Sequence, residues 1–473
     1  MKSPSNPFAT LLIATFAWAA AQGASVVAAQ TADSERDAEP PRVLSIDDAL
    51  QLAAQNDPQL AAAVARQRRS EAEAMTARGR LLPRLDFEQS ITRGDQPVYA
   101  FGTRLLQGRF GASDLALPAL NAPSPITDHA SRLSLRVPLV HAEGWFGARA
   151  ARDMSRAAEA TLSQAELELA GQVLRAYHGA QVAAAAAEVA SQAVESARAD
   201  AARVQSMLRN DMATELDALT MEVHVATMEQ RAILARGEAA AALAALNHAL
   251  GLPVGAPTTL STPLDGAEDG RGPDTGSSVD VEALDLSEHP AVQQAQAREA
   301  AARAAHRAAR ARYAPVLAAA ADLQSHRSQL VNGQHGESWT VGVVLQVNLF
   351  NGLQDLAQER AAAADLEASH VSAVSAESAV RLRVHNAQLA LDAAEATLSV
   401  SARGVELARA AQALEQQRSR NGMNDAAALV RSQTALLDAE LRHLSARHAR
   451  DMARVELTVA LGGHPISPNE VSP

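Results

Sequence analysis

Arg209-Asn210-Asp211-Met212 returns 211 residues later as Arg420-Asn421-Gly422-Met423, and each tetrapeptide stands between two long Ala-rich stretches. Leu246, Leu250 and Gly251 recur as Leu457, Leu461 and Gly462 at the same offset. A fixed offset of this kind marks an internal duplication, and a missed duplication misassigns the whole fold. The tetrapeptides read as the hairpin turns of two equivalent halves.

Outward from the first turn, residues 143–208 keep a helical pattern interrupted only by scattered Gly. At ~1.5 Å per residue this predicts a rod of ~100 Å, far longer than a globular helix. A return helix is predicted over 214–250, closed by Gly251 and Pro253 in the usual stopping order. The second half repeats the plan, with a long helix over 355–418 and a return helix ending at Gly462. Val384, Leu391, Leu398 and Val405 recur every seven residues, with Ala387 and Ala394 at the partner position; Val430, Leu437 and Leu444 do the same on the return, with Leu441 interleaved. Heptads of this kind predict coiled-coil hairpins whose Ala positions allow close approach.

Upstream of each long helix the period changes to two. Leu85, Phe87 and Ile91 alternate with Asp86, Glu88 and Thr92. After a Gly-, Pro- and Asn-containing loop over 94–130, Leu133, Leu135, Val137 and Leu139 alternate with Arg132, Ser134 and Arg136. The second half carries a weakly patterned, Ala-rich strand over 317–323 and then the clearest one, with Val341, Val343, Leu345, Val347 and Leu349 against Thr340, Gly342, Val344, Gln346 and Asn348. Period-two alternation reads as a strand with one apolar and one polar face.

A first helix is predicted from Ser45, a capping residue, to about Arg80, with Asn56-Asp57-Pro58 starting or kinking its straight part. Glu288-His289-Pro290 and Tyr313-Ala314-Pro315 match Asn56-Asp57-Pro58 and Leu81-Leu82-Pro83 at an offset of 232, whereas Leu139 matches Leu349 at 210. The strand-to-strand loop of the first half is therefore 22 residues longer than that of the second. The first helix and the return helix together approach the length of the long helix, so that, stacked end to end, they can run alongside it.

Lys2, the apolar run 8–20 and Val27-Ala28-Ala29 form a secretory signal over 1–29, too short to span a bilayer. A polar leader covers 30–44, the halves cover 45–255 and 283–463, a Gly/Pro/Asp/Ser-rich linker covers 256–282, and 464–473 is a tail. An aromatic content of 3% supplies little for a thick globular core. The net charge of −12 argues against nonspecific nucleic-acid binding. The absence of cysteine excludes disulfides, thiolate metal sites and a lipid-anchored cysteine.

The strands point one way from the helical body and the turns the other, with no helix left to cover the apolar strand face. Lipid is the remaining cover, and a bilayer tolerates no open sheet edge, so the strands must close a barrel. The smallest membrane barrels have eight strands. Four per chain therefore demand oligomerisation.

The repeat, the strand running from Val341 to Leu349 into a long helix, the paired turns and the two Leu/Leu/Gly endings resemble the TolC family of outer-membrane efflux proteins over about 45–463. The resemblance implies a mainly α chain with membrane β structure: long coiled-coil hairpins forming a periplasmic tunnel, and four strands contributing to a 12-stranded trimeric β-barrel. It implies an outer-membrane exit duct for an efflux or type I secretion-like machine, a homotrimer docked to a periplasmic adaptor and an inner-membrane pump. The turns become adaptor-facing tips, Arg209, Asn210, Asp211 and Met212 with Arg420, Asn421, Gly422 and Met423, where Asp211 stands opposite Gly422.

Asp425 is the favoured constriction residue by resemblance, with Asp211, Glu215 and Asp217 as further members of a cation-attracting ring; acidic residues after a turn also suit a helix start. Arg132, Ser134, Arg136, Gln346 and Asn348 are expected to line the barrel lumen. The 14 His residues show no metal-ligand spacing and read as a scattered solvated set. No nucleophile elbow and no phosphate loop occurs, so no enzyme and no cofactor is expected and energy must come from a partner. A periplasmic adaptor is the competing reading; it predicts one hairpin flanked by compact β domains.

Overall fold

The computed structural model describes residues 42–261, 280–420 and 426–463. The signal, most of the leader and linker, Asn421, Gly422, Met423 and Asp425 of the second tip, and the tail lie outside the described residues. In chain order the first half comprises β1 (Arg42–Leu44), α1 (Ile46–Asn56), α2 (Pro58–Gly79), β2 (Arg84–Gly94), α3 (Pro97–Leu106), α4 (Leu117–Asn121), β3 (Ile126–Val140), α5 (Ala142–Leu208), α6 (Glu215–Ala249) and β4 (Thr258–Leu260). The second comprises α7 (Pro290–Ala311), β5 (Val316–Arg327), β6 (His335–Gln346), α8 (Gln354–Arg420) and α9 (Ala426–Ala460).

Asp57 divides the first helix. Its carboxylate accepts from the Leu60 N–H at 2.6 Å, and Pro58 sits in the first turn of α2, where its missing N–H costs nothing. At the matched site His289 caps α7, its Nδ1 accepting from the Ala291 N–H at 3.2 Å. Each return helix ends against this junction. Gly251 has φ +70 and a Cβ there would stand 2.6 Å from Asn56 Cβ; Gly462 has φ +72, with His289 Cδ2 at 2.9 Å. Both glycines thus combine a left-handed backbone with a close approach, and Asn56 Nδ2 donates to the Leu250 carbonyl at 3.3 Å. Gly251→Ala is expected to lower stability by about 1–3 kcal/mol, from backbone strain plus the clash. A thermal melt reads this directly, and an unchanged midpoint would mean that the junction relaxes.

The helices α5 and α8 each hold 67 residues, ~100 Å at 1.5 Å per residue. The lower part of α5 packs on α6 and its upper part on α2 and α7, while α7 also packs on α8. The predicted seam of α8 is buried at Val384, Ala387, Leu391, Ala394 and Val405. On α9 the seam differs: Leu429, Gln433 and Leu437 are buried, whereas Val430, Leu441 and Leu444 are half-buried. The reason is that α9 packs on α5 as well as on α8, so a single heptad stripe does not describe it. Near β1, Tyr177 is fully buried among Leu50, Leu167, Leu246 and Val459, and its hydroxyl donates to the Leu44 carbonyl at 3.0 Å.

The four long strands form one antiparallel sheet in the order β2-β3-β5-β6. Directly paired residues share a face. Phe87, Leu133, Leu323 and Trp339 make one cross-strand row, and Leu85, Leu135, Ala321 and Val341 the next. Ala319 beside Val343 and Leu317 beside Leu345 continue this face toward the helices. Among the described residues no helix covers it: Trp339, Val341, Val343 and Leu345 are 64–76% exposed. Ile91 pairs with His129 and falls beyond the apolar rows.

Three boundaries differ from expectation. The first interstrand loop contains α3, a 3-10 turn over Ala112–Leu115 and α4, started by Pro97 and Pro118 in their first turns. The strand β5 runs well past the predicted 317–323, its apolar side hidden in the sequence by Ala. The strand β6 ends at Gln346 rather than Leu349, because the chain turns through Gly352 (φ +72) and Leu353 (φ +68) to start α8.

Candidate functional site

The polar face of the sheet carries its own rows. Val316 with Gln346, and Pro138, Ala318 and Val344, lie nearest the helices; beyond them come Arg84, Arg136, Ala320 and Gly342, then Asp86, Ser134, Asp322 and Thr340, then Glu88, Arg132, Gln324 and Ser338. Arg84 Nε pairs with Asp86 at 2.9 Å. The predicted lining residues Arg132, Ser134 and Arg136 are brought together on this face with charged neighbours of both signs. Gln346 closes β6 opposite Val316. Asn348 lies beyond the strand, where its Nδ2 donates to Asp355 Oδ2 at 2.7 Å. Asp322 escaped sequence reading because Ala fills the alternate positions of β5.

At the first tip Arg209, Asn210, Asp211 and Met212 are all exposed. Asp211 takes φ +57, the left-handed conformation that Asp tolerates better than most residues and that Gly, found at the matched position, adopts freely. Asn210 Nδ2 donates to the Ser206 carbonyl at 2.8 Å. Glu215 is exposed, while Asp217 is half-buried and committed: with Thr214 it forms the capping box of α6, and its Oδ1 accepts from the Ala426 N–H at 3.3 Å. The Thr214 hydroxyl, aided by the Thr214 and Ala426 amides, holds this carboxyl below the usual carboxylate range against the opposing effect of burial. Asp217 therefore serves the starts of both return helices. Asp425 lies outside the described residues.

Some way above the tip, four helices meet in a buried polar cluster that sequence reading missed. His224 of α6 and Gln433 of α9 are joined at 2.8 Å, the Nε2–H donating to Oε1 in the tautomer that the amide oxygen requires. Gln433 Nε2 donates to Asp200 of α5, which is 1% exposed, also receives Gln416 Nε2 of α8 at 3.5 Å and pairs with Arg203. The available signal was polar residues at positions where a seam calls for apolar ones.

His178, His224 and His289 are buried, which corrects the expectation of a solvated histidine set. Burial is the main reason that all three titrate below the ordinary 6.5. For His178 the Asp451 carboxylate and Gln181 oppose that depression while His448 and Arg450 add to it; for His224 Gln433 and Asp200 oppose it while Arg231 adds to it. A depressed histidine binds fewer protons folded than unfolded, so its contribution to stability is full above 6.5 and is lost as pH falls from there through the folded value. The melting temperature should accordingly fall between pH 7 and about pH 5. His178→Gln with His224→Gln should flatten that slope, and an unaltered slope would place the acid sensitivity elsewhere.

Among the described residues no group of His, Asp and Glu is placed to hold a metal ion, and no helix is long and apolar enough to cross a membrane; the latter says nothing of a β-barrel.

The comparisons with known proteins agree with this geometry. The family model described as outer membrane efflux protein matches residues 49–252 and 283–463. Among curated proteins none matches the chain. Among solved structures, a membrane protein from Pseudomonas aeruginosa superimposes with TM-score 0.71 at 18% identity, covering 88% of this chain and 93% of its own. CusC, described in terms of folding and transmembrane channel formation, gives TM-score 0.72 at 18% identity over 92% and 96%. The open state of the Neisseria gonorrhoeae MtrE outer membrane channel gives 0.70 at 18% identity over 88% and 89%. These likenesses establish the shared architecture of helical tunnel and barrel strands; among the described residues the two hairpins and the four-stranded sheet depart from the single hairpin between β domains that the adaptor reading predicts. By its family match, which spans both halves of the duplication, the chain belongs to the outer membrane efflux protein family.

Proposed function

We propose that three copies of this chain close their sheets into one 12-stranded barrel, continued by a ring of helical hairpins, and that the tips dock on a periplasmic adaptor and an inner-membrane pump. The chain is an outer-membrane efflux duct and not an enzyme; copy number and docking are our reading. The observation that carries it is the uncovered sheet. Its apolar rows run from Trp339 to Leu345, ~20 Å along the strand at 3.4 Å per residue, and the exposed Val347, Leu349 and Phe350 follow directly after the strand. That approaches the ~25 Å apolar band of membrane barrels, and Trp339 and Phe87 share the row remote from the helices, where an aromatic girdle belongs.

Self-association is supported from the edges. The outer strands β2 and β6 run in opposite directions, so the β6 of one copy meets the β2 of the next antiparallel and a ring closes without a free edge. The helical body offers matching features: α6 exposes Leu216, Leu219, Val223 and Ile233, and α8 exposes Leu382, Leu389, Val400, Leu407 and Leu414. Two different patches on one chain make a head-to-tail contact, which generates a closed ring when the rotation permits. Solute passes down its gradient along the polar lining; with no phosphate loop in the sequence, energy comes from the pump.

The decisive measurement is the particle mass of membrane-extracted protein with and without detergent. Three chains that aggregate on detergent removal are expected. A monomer soluble without detergent would overturn the reading.

A further inference from the structure

The longer of the two interstrand loops does not stand clear of the sheet. It folds back over the polar face at the end remote from the helices. Gln107, directly after α3, is fully buried, and its Nε2 donates to the Thr127 carbonyl at 2.9 Å, to Asp128 Oδ1 at 2.9 Å and to the Arg327 carbonyl at 3.2 Å. Asp128 Oδ2 in turn meets His326 Nδ1 at 2.7 Å. By the alternation of the strands, Asp128 shares a face with Arg132 and Ser134, and His326 with Asp322 and Gln324. The clasp is therefore on the polar side.

The loop also reaches across to β6. A Cβ built on Gly336 would collide with the Leu106 carbonyl oxygen, so the loop backbone lies directly on this strand where no side chain fits. Gly336 belongs to the same face as Ser338 and Thr340. The helix α3 thus packs on both β3 and β6. The loop is folded in its own right: Phe101 and Phe110 stack edge to face at 4.9 Å, Arg104 pairs with Asp114, and Tyr99 donates to the Thr92 carbonyl at 2.9 Å. Its counterpart between β5 and β6 spans only 328–334.

We propose that residues 95–125 form a fixed constriction at the cell-exterior exit of the duct, clasped by Gln107 to Asp128 and seated through Leu106 on Gly336, and that it sets the largest solute the exit passes. The proposal rests on the barrel reading, since it takes the polar face as the lumen. Three inward-folded copies narrow one exit, and the clasp makes the narrowing permanent rather than occasional, because Gln107 leaving its site strands buried acceptors.

The natural absence of cysteine permits a direct test. Ser134→Cys places one thiol on the polar face below the loop, and intact cells are treated from outside with a small charged methanethiosulfonate or a polymer-linked maleimide. With the native loop, the small reagent is expected to react and the bulky one to be excluded. Replacing 97–121 by a short Gly-Ser turn, or making Gln107→Ala alone, should admit the bulky reagent about tenfold faster, the factor that 1.4 kcal/mol gives. The point variant keeps the test valid should the shortened chain not assemble. Equal labelling by both reagents with the native loop overturns the constriction, and an unchanged rate in Gln107→Ala overturns the clasp. If Ser134→Cys resists even the small reagent in every background while Leu135→Cys reacts, the faces are reversed, and the barrel reading falls together with the proposal.

Discussion

Val341→Arg is expected to abolish the assembled membrane form of the protein, while Thr340→Arg, one residue earlier, leaves it intact. Val341 lies in the middle of the apolar face, in the row with Leu85, Leu135 and Ala321, two residues from Trp339 and four from Leu345. If this face meets lipid, its centre sits near the bilayer midplane, where an arginine on a barrel costs about 2–4 kcal/mol. Symmetry repeats the charge in every copy, so a trimer loses roughly 6–12 kcal/mol, comparable with the whole stability of a folded domain. Thr340 points to the other face, in the row with Asp86, Ser134 and Asp322, where one more charge joins a wet and already charged lining. The amount of oligomer resistant to denaturing detergent in outer-membrane fractions measures both. Loss in Thr340→Arg with retention in Val341→Arg would invert the assignment of the faces, and equal tolerance of both would remove lipid from the argument.

Gln433→Leu is expected to be the most damaging single change in the helical body. The substitution keeps approximate volume but leaves His224 without its acceptor and Asp200 without its buried amide donor. Each buried group left unsatisfied costs about 1–3 kcal/mol, so roughly 2–6 kcal/mol is at stake per chain. Arg203 still faces Asp200 and moderates the upper figure. Because α5 and α6 belong to the first hairpin and α8 and α9 to the second, the lost interactions are those between hairpins. The return helices should therefore part below this level, where the remaining links include Asp217 to the Ala426 N–H and the small apolar cluster of Val204, Met221, Ala426 and Leu429. Faster hydrogen exchange over 209–230, together with a lower melting temperature, is the expected signature. Adding His224→Leu should recover part of the loss, since replacing both partners by apolar groups is far less costly than orphaning one. Strict additivity of the two changes would show that the cluster is not a unit.

The long helices and their hairpin turns were legible because they rest on local periods. Val384, Leu391 and Val405 announce a seam at seven-residue spacing, and Leu133, Leu135 and Val137 announce a strand at two, whatever lies across from them. The matched turns and the Leu/Leu/Gly endings added the duplication. The expectation of a lipid cover and of further copies came from counting faces and strands. Legibility failed where a residue's role depends on a partner far along the chain. Asp217 was legible both as a candidate ring member and as a helix-start acid, but its bond to the Ala426 N–H was not, because Ala426 stands beside it only after both hairpins have packed. His224, Gln433 and Asp200 interrupt apolar seams and signalled nothing singly. The Ala-rich β5 concealed both its length and Asp322, since Ala carries almost no alternation in hydrophobicity.

What the sequence by itself determined is therefore the class of the molecule: two equivalent halves, ~100 Å helices, four alternating strands, and an apolar sheet face that lipid must cover. Only the tertiary structure decided the order β2-β3-β5-β6, the rows in which Arg132, Ser134 and Asp322 meet, and the return of the first loop onto the polar face through Gln107. The physical reason is the range of the interactions. Hydrophobic period and helix capping act between residues a few positions apart and are written along the chain, whereas strand register and buried hydrogen bonds such as Gln107 to Arg327, 220 residues distant, exist only once packing has brought their partners together.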